Sequence, residues 1–71
     1  MTGQDMQVQL NGEVREIPDG WAVSDLLTDL RIESRYCAVE LNRRVTPREQ
    51  HATCLLKSGD EIEVVTLVGG G

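Results

Sequence analysis

The sequence predicts an α+β fold in which one main helix packs on one face of a mixed β-sheet. Three observations indicate it: four segments alternate apolar and polar residues as strands do, one segment has the apolar spacing of a helix, and the pair Asn11-Gly12 marks a tight hairpin turn. The 71 residues, of which 39% are hydrophobic, suffice for one small core. We therefore expect a single domain.

The first two strands form a predicted hairpin that runs from Met6 to Ile17. The segments "MQVQL" and "EVREI" flank Asn11-Gly12, whose residue types accept the positive φ angles of a primed two-residue turn. The alternation in the first strand places three apolar residues on one face: Met6, Val8 and Leu10. The turn residues "PDG" then end the second strand.

The next segment changes from the period of a strand to that of a helix. Its apolar residues recur at the spacing i, i+3, i+4, i+7 that forms one helical face, namely Val23, Leu26, Leu27 and Leu30. Ala22, at the expected N-cap, has no side-chain oxygen to accept a backbone N–H. We therefore expect the first turn of the helix to fray.

The second half of the chain predicts two more strands with a helical turn between them. "YCAVELN" returns to period two, with its core side formed by Cys37, Val39 and Leu41. In "TPREQ" we expect a short helical turn with Thr46 as N-cap, Pro47 as first residue and Glu49 closing a capping box. After the turn "KSGD", the β-branched segment "EIEVVTLV" predicts the last strand, with Ile62 and Val64 facing inward.

The order of these elements predicts a β-grasp arrangement, as in ubiquitin. The right-handed crossover rule lets the last strand lie parallel beside the first, while the helix covers one face of the sheet. We expect this single domain to span residues 1–71, with a loose N-terminus at 1–5 and a flexible glycine tail at 69–71.

Charge and composition restrict the classes of function. The net charge of −5, from 12 acidic and 7 basic residues, would repel a phosphate backbone, so we expect no nucleic-acid partner. No signal-peptide pattern or apolar stretch of about 20 residues is present, so we expect a cytoplasmic protein without membrane contact. A core this small rarely forms an active-site pocket. We expect a monomer that other enzymes act upon.

The cysteines and the histidine do not predict a metal site. Cys37 and Cys54 lie in apolar contexts without CxxC spacing, and with His51 they supply too few ligands for zinc. We expect both cysteines to be free and buried, and His51 to be solvated beside the helical turn. Trp21 is expected to pack over the start of the helix, with a partner contact as the alternative.

The three terminal glycines, Gly69, Gly70 and Gly71, suit insertion into a narrow channel. Without Cβ atoms this tail needs little width, and its backbone N–H and C=O groups are free to pair with channel walls. Its only reactive group is the α-carboxylate of Gly71, which is ionised at neutral pH. Attack on ATP would convert it to an acyl adenylate that sulfur or nitrogen nucleophiles can displace. The alternative is a disordered terminus or a cloning remnant.

Two apolar residues near the tail, Val65 and Leu67, are candidates for partner docking. They alternate with the inward residues of the last strand, so we expect them to point outward beside the reactive end. The alternative is that a neighbouring strand covers them or that a bulge turns one of them inward.

Several of these motifs together resemble the ThiS family, the sulfur carrier proteins of thiamin biosynthesis. The resemblance rests on the β-grasp pattern, the "VELN" strand, the "TPREQ" segment, the "KSGD" turn, the β-branched last strand and the terminal Gly-Gly. It extends from Met6 to Gly71. One position departs from the family, whose members often have Trp after "REQ", where this chain has His51.

The resemblance implies a function for the glycine tail. Gly71 would be adenylated by an E1-like adenylyltransferase of the ThiF type and converted to a C-terminal thiocarboxylate with sulfur from a persulfide donor. The thiocarboxylate would deliver that sulfur to thiazole synthase, ThiG. The protein itself would be a co-substrate without a bound cofactor or metal, because ATP is used by the adenylating enzyme.

Three alternatives remain open at the level of sequence. The small subunit of molybdopterin synthase, MoaD, shares the fold and the thiocarboxylate chemistry, although it is usually longer. A ubiquitin-like modifier would instead form amide bonds to lysines through Gly71. A β-grasp interaction module with an inert tail would use neither reaction.

Overall fold

The last strand lies at the centre of a five-stranded mixed sheet. The computed structural model describes residues 4–67 of the 71, and the strand order is β2-β1-β5-β3-β4. Strand β5 runs parallel to β1 and antiparallel to β3, as the sequence predicts for the β-grasp arrangement. The elements are β1 (Asp5–Leu10), β2 (Glu13–Pro18), α1 (Val23–Asp29), a 3₁₀ turn (Ser34–Tyr36), β3 (Cys37–Leu41), β4 (Arg44–Val45), a second 3₁₀ turn (Arg48–Gln50) and β5 (Glu61–Thr66).

The hairpin of β1 and β2 confirms the predicted turn. Asn11 and Gly12 have φ angles of 52° and 84°, which is the pattern of a type I′ turn. The hairpin is one pair longer than expected, because Asp5 pairs with Pro18 and the carbonyl of Gln4 accepts a hydrogen bond from the N–H of Asp19 (2.7 Å). The expectation of a loose segment is therefore wrong at Asp5, and Met1–Gly3 lie outside the described residues.

Asn11 also connects the hairpin turn to β5. Its backbone N–H donates to the carbonyl of Ile62 at 2.8 Å. Its side-chain Oδ1 accepts from the N–H of Val64 at 2.9 Å, and its Nδ2 donates to the carbonyl of the same residue at 3.3 Å. Strand β1 ends at Leu10. Beyond this point the Asn11 side chain makes the hydrogen bonds to β5 that one more residue pair of the parallel strands would make.

A second turn, Asn42-Arg43, holds the beginning of β5 from the other side. Both residues have positive φ, and they reverse the chain into β4, a two-residue strand that the sequence analysis did not predict. Asn42 donates its backbone N–H to the carbonyl of Glu61 (2.7 Å) and accepts from the N–H of Glu61 through Oδ1 (2.9 Å). Its Nδ2 donates to Asp60, which is 6% exposed (3.0 Å). The first residues of β5 thus lie beside polar groups that are hydrogen-bonded to one another.

Helix α1 begins and packs largely as its apolar spacing predicts. Val23, Leu26 and Leu27 are buried against the sheet, and Leu30 is the C-cap. The expected fraying of the first turn is wrong, because Asp25 accepts the N–H of Ala22 through Oδ2 at 2.8 Å. The Ala22 side chain has no acceptor atom, so the capping box is incomplete. The Asp25 carboxylate accepts from the N-cap N–H, but no N-cap side chain accepts from the helix.

The segment after the second 3₁₀ turn closes the start of the helix. The carbonyl of Cys54 accepts from the N–H of Val23 (3.0 Å), and the carbonyl of His51 accepts from that of Ser24 (2.8 Å). These bonds satisfy two of the N–H groups that a helix leaves free at its N-terminus. The isolated bridge between Ala22 and Leu55 adds a further tie.

His51 is buried rather than solvated, which corrects the sequence prediction. It is 3% exposed, and its Nε2 lies 3.0 Å from the carbonyl of Thr46, while Nδ1 has no partner among residues 4–67. Thr46 is also buried, and its N–H donates to the carbonyl of Val39. The N-cap of the second 3₁₀ turn is Pro47 instead of the predicted Thr46, and no side chain caps this turn. Because the neighbours of His51 in the sequence are polar, the sequence pattern does not indicate that it packs against the start of the helix.

The core lies between α1 and the inner face of the sheet. Trp21 packs against it as expected, and Cys54 is only half-buried, whereas Cys37 is buried. The buried cluster consists of Met6, Val8, Ile17, Val23, Leu26, Leu27, Cys37, Val39, Leu56, Ile62 and Val64. Strands β1, β2, β3 and β5 contribute inward residues to it, including the predicted Ile62 and Val64 of β5.

We predict that Asn11→Gly lowers the free energy of unfolding by about 1–2 kcal/mol, because two hydrogen bonds to Val64 are lost while positive φ remains accessible. Asn11→Ala should lower it further, since alanine disfavours that conformation. Urea unfolding followed by circular dichroism measures both. Equal stability of Asn11→Gly and the native chain would show that the side-chain bonds contribute nothing.

Candidate functional site at the end of the last strand

The final described residues leave the centre of the sheet at one corner of the molecule. Thr66 pairs with Cys37, and the N–H of Leu67 donates to the carbonyl of Tyr36 at 2.6 Å. Gly69, Gly70 and Gly71 lie outside the described residues, so their expected role stays a prediction. Gly71 is four positions after Leu67 in the sequence, a span of at most about 13–14 Å for extended chain. Any group that reacts with Gly71 must therefore work close to this corner.

Val65 and Leu67 point outward, as the alternation in the last strand predicts. Their exposed fractions are 58% and 54%, so neither strand cover nor a bulge turns them inward. Val65 lies opposite Ala38 on β3. Leu67 is hydrogen-bonded through its backbone to Tyr36, which is 51% exposed. These four residues form an apolar patch at the base of the tail, which we call the corner patch. Its role in docking stays a prediction.

The sheet face beyond the corner patch is acidic. Glu40 and Glu63 are directly opposite each other on β3 and β5, and both are exposed. Like charges at opposed positions destabilise a sheet slightly. Glu61, on the same face, has Arg43 as an ion-pair partner at 3.8 Å. The open face thus combines an apolar corner with a negative surface.

Neither cysteine belongs to the corner patch, although Cys37 lies between Tyr36 and Ala38 with its side chain in the core. Both are free; Cys37 is 8% exposed, and burial raises the pKa of its thiol above the ordinary value. A thiol with a raised pKa is a poor nucleophile at neutral pH, because only the thiolate reacts. Within residues 4–67, His, Cys, Asp and Glu side chains form no group of three or more that could hold a metal ion.

Helix length and hydropathy give no transmembrane candidate in the part of the chain that the structure describes. None of its helices is both long enough and apolar enough to cross a bilayer.

Comparison with protein families decides how the chain is classified. The model of the ThiS family matches residues 8–71, which includes the sheet except for the first three residues of β1 and reaches the last glycine. The chain belongs to the ThiS family. The motifs from "VELN" to the terminal glycines therefore indicate the correct family, and His51 occupies a buried position within it.

Individual relatives agree with this assignment. The chain is 35% identical over 65 residues to the sulfur carrier protein ThiS of Bacillus subtilis, covering 90% of this chain and 98% of the relative. The crystal structure of ThiS from Geobacter metallireducens superposes with a TM-score of 0.79 at 32% identity, covering 93% of this chain and all of that one. The β-grasp fold predicted from the sequence is thereby confirmed.

A longer relative carries a different name. The chain is 36% identical over 66 residues to a thiazole synthase of Paramagnetospirillum magneticum. The match covers 93% of this chain but only 20% of that protein. The chain thus spans about a fifth of the length of this relative, in which a segment similar to the ThiS family is part of a larger protein.

We predict that iodoacetamide at pH 8 modifies Cys54 well before Cys37 in the native protein. Cys54 is half-buried, whereas the buried Cys37 thiol has a raised pKa and less thiolate at that pH. Peptide mass spectrometry over time measures both rates. In denaturant the two should react at similar rates, and faster native labelling of Cys37 would contradict the described packing.

Proposed function

We propose that this protein is a sulfur carrier for thiazole formation in thiamin biosynthesis and that Gly71 is its reactive residue. The observation that supports this most directly is the ThiS family match, which continues through the last glycine. The end of β5 supports it further, because Leu67, four positions before Gly71, is exposed and hydrogen-bonded to Tyr36. The protein acts as a co-substrate, and the catalytic groups belong to its partner enzymes.

The proposed reaction begins at the carboxylate of Gly71. An oxygen of that carboxylate attacks the α-phosphate of ATP, which forms an acyl adenylate and releases pyrophosphate. The terminal sulfur of a persulfide then attacks the acyl carbon, and the C–O bond breaks as AMP leaves with the electron pair. A thiol reduces the resulting acyl disulfide, giving the thiocarboxylate and a disulfide. The softer sulfur end can then attack an electrophilic carbon held by a second enzyme.

Within this scheme, the described residues contribute position rather than acid–base chemistry. Strand β5 is hydrogen-bonded on both sides, to β1 and to β3, and Leu67 is held by Tyr36. A fixed starting point limits the positions that the tail can sample and favours its entry into a channel. The glycines give this tail little width, and ATP binds to the adenylating enzyme instead of to this chain.

Two partner enzymes follow from the proposed chemistry. An E1-like enzyme of the ThiF type forms the adenylate, and a thiazole synthase of the ThiG type receives the sulfur. The thiazole synthase relative supports the second partner, because there a ThiS-like segment and a much longer remainder share one chain. The relatives named ThiS favour thiamin over molybdopterin synthesis. ATP and reduced thiols are both available in the cytoplasm, where we place the reaction.

We predict that Leu67→Asp weakens binding to the adenylating enzyme by more than about 1 kcal/mol, because the interface would have to desolvate the new charge. Val65→Asp should act similarly. Val14→Asp is the matched control, since Val14 is 65% exposed on β2 and lies outside the corner patch. Titration calorimetry gives the affinities, and circular dichroism checks that each variant folds. An equal loss for Val14→Asp would contradict docking at the corner patch.

The position of the transferred sulfur tests the proposed function. We predict that the variant Cys37→Ala/Cys54→Ser, incubated with ATP, the adenylating enzyme, a persulfide donor and a thiol, gains one sulfur in place of one oxygen. Fragment mass spectrometry should locate that exchange at Gly71. Deletion of Gly70 and Gly71 should abolish the exchange while the melting temperature barely moves.

Other results of this assay would overturn the proposal. Sulfur found only on Cys37 or Cys54 of the native chain would indicate a persulfide carrier. Amide links from Gly71 to lysines, without thiocarboxylate, would indicate a protein modifier. Sulfur transfer to a pterin precursor in place of thiazole would indicate the molybdopterin pathway.

A further inference from the structure

A broad groove on the helix side of the molecule has a basic rim and an apolar floor. It lies between the later part of α1, residues 31–35 and Arg48 of the second 3₁₀ turn, and its volume is about 740 Å³. The apolar floor is formed mainly by the half-buried Ile32, because Leu27 is only 2% exposed. Three exposed arginines form the rim: Arg31, Arg35 and Arg48. We call this feature the arginine groove.

The charge of the arginine groove is opposite to that of the protein. The chain has a net charge of −5 and 7 basic residues, three of which line this groove beside one carboxylate, Glu33. Arg35 forms an ion pair with Glu33 at 2.8 Å. Across residues 4–67, neither Arg31 nor Arg48 has a carboxylate within ion-pair distance. Two guanidinium groups on the rim are thus available to an anionic partner.

The end of helix α1 holds the backbone of Arg31 in a defined conformation. Helix α1 ends in a Schellman motif, in which the N–H of Ile32 donates to the carbonyl of Leu27 (2.9 Å) and that of Arg31 to Thr28 (3.0 Å). Arg31 occupies the left-handed position of this motif, with a φ of 61°, where glycine is usual. A residue with a Cβ is less favourable than glycine in this conformation. The rim position of Arg31 is thus set by the end of the helix.

The arginine groove and the corner patch meet at residues 35–36. The guanidinium carbon of Arg35 lies 4.9 Å from the centre of the Tyr36 ring, and the carbonyl of Tyr36 accepts the N–H of Leu67. An enzyme that reaches Gly71 must approach within about 13–14 Å of Leu67, as argued above. Its surface would then lie beside this groove as well.

We propose that the arginine groove binds an acidic surface loop of the adenylating enzyme, with an apolar side chain of that loop on Ile32. The groove is open and shallow, which suits a protein segment, and guanidinium groups pair with carboxylates through two parallel hydrogen bonds. Because the open sheet face is acidic and this groove is basic, their opposite charges fix the orientation of docking. The choice of partner rests on the sulfur-carrier function proposed above.

The test compares two charge-reversal variants of the full chain. Arg31→Glu/Arg48→Glu alters the groove, and Arg44→Glu/Lys57→Glu produces the same change in net charge at two exposed residues outside it. Titration calorimetry with the purified ThiF-type enzyme of the same organism, without ATP, measures affinity. At about 50 mM salt we expect the groove variant to bind at least about tenfold more weakly than the control, with the difference shrinking at about 500 mM. Arg31→Lys/Arg48→Lys should recover part of the affinity.

A third variant separates docking from a structural role. Arg31→Gly removes the strained backbone, so the melting temperature should stay the same or rise while the affinity falls. Equal affinity of the groove variant and the control would overturn the proposal, as would absence of binding by the native chain. If the groove variant unfolds, Arg31→Gly and Arg48→Gln decide the question individually. A native chain that binds but is never adenylated would refute the sulfur-carrier function, while the affinities would still decide the role of the groove.

Discussion

The hydrogen bonding of β5 on both edges is the constraint on which the rest of this structure depends. This strand carries the corner patch and leads to the glycine tail, and it is the one strand that contacts both halves of the sheet. Backbone pairing with β1 extends over only two residues, Gln9 and Leu10. The side chains of Asn11 and Asn42 extend the bonding of β5 to its neighbours. Two turn residues thus fix the strand that would present the reactive end.

The helix depends on a distant segment in a similar way. Its first turn has no N-cap side chain, and residues 51–55 supply carbonyl groups in its place. His51 takes part twice, through its backbone carbonyl and through the ring nitrogen near Thr46. The loop between β4 and β5 is therefore structural. This arrangement leaves the open sheet face and the arginine groove exposed to partners.

Local chemistry explains why much of the fold was predictable from the sequence. Asn11-Gly12 has the residue types of a primed turn, the apolar spacing of α1 is helical, and the alternation in β5 places Val65 outside. The β4 strand was missed because its turn is Asn42-Arg43 and its two exposed residues show no apolar alternation.

Errors arose where residues distant in the sequence interact. The bonds that His51 and Cys54 accept from the first turn of the helix span more than twenty residues, and no local pattern encodes them. The bond from Ala22 to Asp25, by contrast, is local, and its acceptor was visible in the sequence. Within the site, exposure of Val65 and Leu67 followed from alternation alone. The arginine groove could not be predicted from a local pattern, because its rim combines Arg31 and Arg35 with Arg48 from a different part of the chain.

The central position of β5 also links recognition to folding. Gln9 pairs with Glu61, and Ala38 pairs with Val65, so both edges of this strand close loops of many residues. Contacts of such long sequence separation carry a large loop-closure entropy and form late in slow-folding topologies. An unfolded or partly folded chain would still carry its glycines, but it would lack the corner patch assembled from two strands. A partner that binds this patch would therefore distinguish folded molecules from unfolded or partly folded ones, although all of them carry the same glycines.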